Sequence, residues 1–166
     1  MQSAQILNHI QIQQKIVRIA HEVAEFNYDL DKICIIGIAE GGYKLAGLIV
    51  EELINILSIE IRLGKLSMDK TDVIKGSIAL DIPIEKLDAC SVVLVDDVLE
   101  SGRTLTYAAK HLLNRPLKKL ATVVLVDRMH PKFPIRADFV GLTLSTTLKN
   151  HIALKDEDGQ LSVHLF

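Results

Sequence analysis

Apolar positions along the chain follow two rhythms. One has helical spacing. Ile6, Ile10, Ile16, Ile19, Ala20, Val23 and Ala24 predict a helix over residues 5–27. Leu45, Leu48, Ile49, Leu53 and Ile56 predict another over Tyr43–Leu57, and a third follows Gly102, over Arg103–Leu113. The second rhythm is continuous. Ile33–Ile38, Val92–Val95, Leu120–Val126 and Asp138–Leu144 read as buried strands, mostly apolar because both faces are covered. Ile59–Leu66 and Ser77–Ile82 read as further strands. Ala39-Glu40-Gly41-Gly42 reads as a strand-to-helix break, and residues 67–77 as a polar loop. Ile152–Lys155 and Leu161–Leu165, flanking Asp156-Glu157-Asp158-Gly159, predict a terminal β-hairpin. Strands alternating with helices imply an α/β protein with a mainly parallel, twisted sheet flanked by helices. Ligands of such sheets bind beyond the carboxyl ends of the strands, here the loops after Ile38, Val95 and Val126.

Composition narrows this picture. With 166 residues, 49% hydrophobic and 24% charged, one domain over 1–166 is expected, without repeats or linkers. There is no Trp, with four Phe and three Tyr, so apolar burial rests on Ile, Leu, Val and Ala. Cys34 and Cys90 lie in or beside apolar runs and read as small reduced core residues. No run approaches the ~18 apolar residues of a membrane span, and the amino terminus lacks a leader pattern, so a soluble cytoplasmic protein is expected. The formal charge of −2 advertises no global affinity for nucleic acid. None of the six His makes a metal-ligand spacing with Cys or acids.

The loop after Val95 carries the chemistry. The strand delivers two adjacent carboxylates, Asp96 and Asp97, to the edge of the sheet, where they need solvent, a cation or hydroxyl donors. Ser101, Gly102, Arg103 and Thr104 follow at a helix start, with backbone N–H groups, two hydroxyls and the helix dipole suited to an anion. A phosphorylated sugar has groups for both. The spacing is neither GxxxxGK[ST] nor GxGxxG. An acidic pair at a strand end also suits a phosphoacceptor receiver domain, which leaves Ser101–Thr104 unexplained. Alternatively the Asp residues cap a helix and Arg103 pairs with one of them.

Residues Val92–Thr104 resemble the phosphoribosyl-pyrophosphate signature of the type I phosphoribosyltransferases: four apolar residues, two acids, two apolar residues and a phosphate turn. Within that superfamily the chain is most similar to the pyrimidine operon attenuator proteins that are also uracil phosphoribosyltransferases. The similarity includes Arg18-Ile19-Ala20-His21-Glu22, Leu125-Val126-Asp127-Arg128 and Pro134–Gly141. The resemblance implies the type I phosphoribosyltransferase fold, with a small hood and the terminal hairpin. It implies that Asp96 and Asp97 hold the ribose hydroxyls and that Glu100, Ser101, Gly102, Arg103 and Thr104 wrap the 5-phosphate. Ala39, Glu40, Gly41 and Gly42 would bind pyrophosphate through backbone N–H groups, although an acid stands at 40 where the hypoxanthine-guanine enzymes have Lys. Residues 65–77 would form a mobile lid, with Lys65 and Lys70 as its charges. Asp127, Arg128, Arg136 and Phe139 would surround the base, with His130 nearby. Glu100 would accept a proton from the attacking nitrogen.

The activity implied is transfer of ribose 5-phosphate to a nucleobase, with Mg2+ bound chiefly through the substrate and possible contacts from Asp96 and Asp97. Overall similarity points to uracil; Glu100 and Gly41-Gly42 point to a purine. The relatives also imply a homodimer or larger assembly and an RNA-binding regulatory role. Against RNA, helix 5–27 offers only His9, Lys15, Arg18 and His21 as cationic or near-cationic groups. A nucleotide-binding protein that kept the fold without catalysis is a third reading.

Overall fold

A computed structural model describes residues 3–69, 71–145, 147 and 150–166. Five strands are parallel: β2 (Lys32–Ile38), β3 (Glu60–Met68), β5 (Ser91–Leu99), β6 (Lys119–Asp127) and β7 (Phe139–Thr143). With the short antiparallel β4 (Ile78–Leu80) they form a six-stranded sheet in the order β4-β3-β2-β5-β6-β7. A second, antiparallel sheet joins β1 (Ala4–Leu7) to the hairpin of β8 (Ile152–Glu157) and β9 (Gln160–Leu165), in the order β1-β9-β8.

Both faces of the large sheet are covered, which explains the unbroken apolar strands. Ile33, Ile35, Val93 and Val95 pack toward α1 (His9–Phe26) and α2 (Ala39–Ile56). The intervening Cys34, Ile36, Val92 and Leu94 pack toward α3 (Arg103–Leu112) and the short turn of helix at Ile84–Leu87. Cys34 and Cys90 are buried and unbridged. Burial, reinforced by contact with Cys90, pushes the Cys34 thiol up to about 12. A Lys44–Asp156 ion pair ties the small sheet to α2. Among the described residues, no helix is long and apolar enough to cross a membrane.

Three element boundaries differ from the sequence reading. The helix expected over 5–27 is a strand and a shorter helix. Asn8 stops β1 and opens α1 through a capping box: its Oδ1 accepts from the Gln11 N–H at 2.9 Å, and Gln11 Oε1 accepts from the Asn8 N–H at 2.9 Å. The break expected at Ala39–Gly42 is the first turn of α2 itself. A side chain at Gly42 would place its Cβ 2.5 Å from the Val95 carbonyl oxygen, so glycine here lets α2 sit directly on β5. Finally, β5 continues past Val95 to Leu99 and carries Asp96 and Asp97 within the strand.

Candidate active site

The carboxyl end of β5 and the turn behind it form one wall of a cleft of about 340 Å³, from Asp96 to Leu105. The other wall is His151–Leu154, at the start of the small sheet. Successive strand residues leave opposite faces, and the two acids separate accordingly. Asp97 lies against the first turn of α2, where a Cβ on Gly41 would run into its carboxylate. Asp96 is 4% exposed. Asp96 Oδ1 accepts from the Asp97 N–H at 3.0 Å, and Asp97 Oδ1 accepts from the Val98 N–H at 2.9 Å. These bonds orient one oxygen of each carboxylate, and a carboxylate is an acceptor suited to hydroxyl donors.

Behind them, Gly102 adopts φ +80° and stands at the N-cap of α3 without a side-chain cap bond. The first-turn N–H groups of a helix lack intrahelical acceptors, and here they belong to residues lining the cleft. Arg103 N–H reaches Ser101 Oγ at 3.3 Å. The Ser101 carbonyl accepts from the N–H groups of Lys132 (2.8 Å) and Phe133 (3.1 Å), which anchors the turn to the segment after β6. Carboxylates and a helix start whose N–H groups suit an anion therefore share one cleft.

Ala39–Gly42 approaches this wall as a helical turn. Its Glu40 carboxylate is turned toward Lys65 on β3, which also lies 5.6 Å from the Tyr43 ring. Lys65 is thus a strand residue, and β3 takes up residues 65–68 of the segment expected as a lid over 65–77. Lys70 lies outside the described residues.

The expected base-binding residues do not assemble as one group. Leu99, Glu100, Asp127, Met129, Pro131, Ile135 and Arg136 line a second cavity of about 140 Å³ beside the cleft. Asp127 Oδ1 there accepts from the Met129 N–H at 2.8 Å. Arg128 is 1% exposed, and its guanidinium points inward to the Glu100 carboxylate and to the carbonyls of Asn150 (2.7 Å) and Thr147 (3.2 Å). Phe139 is elsewhere: it opens β7 and packs edge-on against Phe26 of α1, ring centroids 5.9 Å apart. Asp138 is held by the N–H and hydroxyl of Thr122 (2.8 and 3.1 Å). The wall at His151–Leu154 was missing from the candidate residues. Its signal was the predicted terminal hairpin, whose first strand begins here.

A profile of the phosphoribosyl transferase domain matches residues 2–157. The chain belongs to the phosphoribosyltransferase family. It is 35% identical to the bifunctional protein PyrR of Streptococcus thermophilus, covering 99% of this chain and 98% of that one. It is 36% identical to the pyrimidine operon regulatory protein of Lactococcus lactis, covering 98% and 96%. Its fold is shared with the hypoxanthine phosphoribosyltransferase of Trypanosoma cruzi, at a TM-score of 0.78 and 17% identity over 96% of this chain and 94% of that one. This membership is that of the type I phosphoribosyltransferases, whose central, mostly parallel sheet carries additional carboxyl-terminal strands here.

Proposed function

We propose that the protein transfers ribose 5-phosphate from phosphoribosyl pyrophosphate to uracil. The observation that carries this reading is the single cleft lined by Asp96, Asp97 and the start of α3, which has no side-chain cap. The α3 N–H groups and the Ser101 and Thr104 hydroxyls bind the 5-phosphate, while the two carboxylates accept the ribose 2- and 3-hydroxyls. These contacts hold the sugar at both ends and orient C1 toward the base. Breaking the C1–O bond to the diphosphate develops positive charge on the sugar, which fixed carboxylates favour. Ala39–Gly42 supplies backbone N–H groups toward the leaving diphosphate, and His151–Leu154 shields the reacting centre from water.

Among the described residues there is no group of three or more His, Cys, Asp or Glu able to hold a metal. Two carboxylates do suit a hard cation that brings most of its oxygen ligands with the substrate. Asp96 and Asp97 would help hold Mg2+ alongside the substrate's own oxygens, and the ion would supply charge neutralisation for the leaving diphosphate.

Uracil is supported by the relatives named PyrR and pyrimidine operon regulatory protein, which align along nearly the whole chain. The purine enzymes align at low identity and speak for the fold. The small cavity beside Arg136 and Asp127 is the base pocket in this reading. The direct test is incubation with phosphoribosyl pyrophosphate, Mg2+ and uracil, hypoxanthine or guanine in turn. Uridine monophosphate alone is expected. A purine nucleotide would overturn the choice of base, and no nucleotide from any base would overturn the activity.

The regulatory names of these relatives favour a second role, binding to a pyrimidine-operon transcript as a homo-oligomer. In this chain Arg18 is engaged by Glu22 and by the carbonyls of Val140 and Gly141, leaving α1 few cations for phosphates. RNA affinity that falls steeply with salt would support this role. Affinity no better than that of an unrelated acidic protein would remove it.

A further inference from the structure

Glu100 and Arg128 form an unequal pair. The Arg128 side chain is 1% exposed and the Glu100 side chain 56%. A guanidinium carries five N–H donors and stays protonated, so burying it demands acceptors on several sides. Those acceptors come from two separate parts of the chain. Glu100 is the first residue beyond β5, in the turn that leads to Gly102. The carbonyls of Thr147 and Asn150 lie just before β8, whose opening residues form the opposite wall of the cleft. The Arg128 main-chain N–H adds a bond to the Leu99 carbonyl at 3.0 Å. One buried side chain therefore joins the turn that leads to Gly102 to the segment entering β8, which with His151–Leu154 forms a hood over the cleft.

We propose that Arg128 is a positioning residue that couples occupancy of the phosphate turn to the hood wall, with Glu100 as its counter-charge and not as a proton acceptor. A general base needs a lone pair directed at the proton it removes, within about 3 Å of the donor atom. The Glu100 carboxylate is instead turned to a permanent cation. When an anion settles on the α3 start it draws in the turn that includes Glu100. Arg128 carries the displacement to the Asn150 carbonyl, immediately ahead of His151. Geometry suits arginine: a planar fork can meet a carboxylate and two carbonyls at once, whereas a lysine ammonium is a single point of charge.

The coupling rests on the phosphoribosyl reading of the cleft, so its test uses a ligand readout separate from turnover. Hydrogen exchange of the intact protein is followed with and without saturating ribose 5-phosphate. In the wild type, binding should slow exchange at Asn150–Leu154 by at least about fivefold, the lower end of ordinary coupling between sites. Glu100→Gln alters a mostly exposed side chain and should fold; Arg128→Lys keeps the charge. Both should still bind ribose 5-phosphate, with that slowing largely lost in Glu100→Gln and partly retained in Arg128→Lys. Unchanged slowing in both variants, or no slowing in a wild type that binds the ligand, overturns the coupling. A wild type that binds no ribose 5-phosphate overturns the reading of the cleft itself.

Turnover then separates positioning from proton transfer. Glu100→Gln should raise KM for the base and leave the shape of the kcat pH profile unchanged. A hundredfold or greater fall in kcat, of the order removed with a general base, together with loss of the acidic limb, would overturn the role assigned to Glu100.

Discussion

Gly102 stands at φ +80°, and a Cβ built there would lie 2.9 Å from Ile135 Cγ2. Left-handed backbone is strained for an L-residue, and Ile135 would also have to shift. Gly102→Ala should lower stability by about 2 kcal/mol, visible as an earlier urea midpoint, and weaken ribose 5-phosphate binding in parallel. An unchanged midpoint would refute the strain argument. Asp88 offers a test of a different kind. The Arg115 guanidinium grips it through two hydrogen bonds, one of 2.7 Å from Nε, and holds its carboxyl below the usual carboxylate range. A lowered folded value means that the pair contributes fully above the ordinary carboxylate pKa of about 3.9 and fades as pH falls through the folded value. The difference in Tm between wild type and Asp88→Asn should therefore be constant from neutral pH down to about pH 5 and then close on further acidification. A difference that persists unchanged at pH 2 would contradict it.

Elements were legible where one force dominated and blurred where two competed. Ile33–Ile38, Val92–Val95 and Leu120–Val126 were plain because burial on both faces leaves a continuous apolar run. The amino-terminal error arose from Ile6 and Ile10, which keep helical spacing although Ile10 is 65% exposed and Ile6 belongs to β1. The sharper signal was Asn8 with Gln11, three residues apart. Asn8→Ala should cost about 1 kcal/mol, measured by thermal or urea unfolding, and Gln11→Ala should show a smaller loss through the same box. Equal stability of Asn8→Ala and wild type would remove the box as the boundary signal. The placement of Phe139 failed for a different reason. Its nearness to Arg136 in sequence suggested a shared pocket, but strand register decides position, and register is a tertiary fact. Phe139 pairs with Val123, four residues before Asp127. At about 3.3 Å per residue it starts roughly 13 Å back from the edge that carries the cleft.

At the scale of the whole molecule, the cleft lies between two separately built parts. The end of β5, the turn behind it and the start of α3 supply Asp96 to Leu105, and the start of the small sheet supplies His151–Leu154. The first wall was readable because its chemistry is contiguous in sequence. The second was not, because its residues are ordinary and gain meaning only when the hairpin folds over β5. A net charge of −2 likewise says little about a ligand recognised at one helix start. A ligand that touches both walls should stabilise the folded chain beyond what either contact gives alone. Phosphoribosyl pyrophosphate with Mg2+ at a hundred times its Kd should add about 2.7 kcal/mol to the free energy of unfolding, whereas the same concentration of inorganic phosphate adds less. Asp97→Asn removes one charge beside Gly41 and keeps the side-chain volume. It should abolish most of the gain from the sugar diphosphate while sparing the smaller gain from inorganic phosphate at α3. Equal stabilisation by phosphoribosyl pyrophosphate in wild type and Asp97→Asn would show that this carboxylate takes no part in holding the ribose.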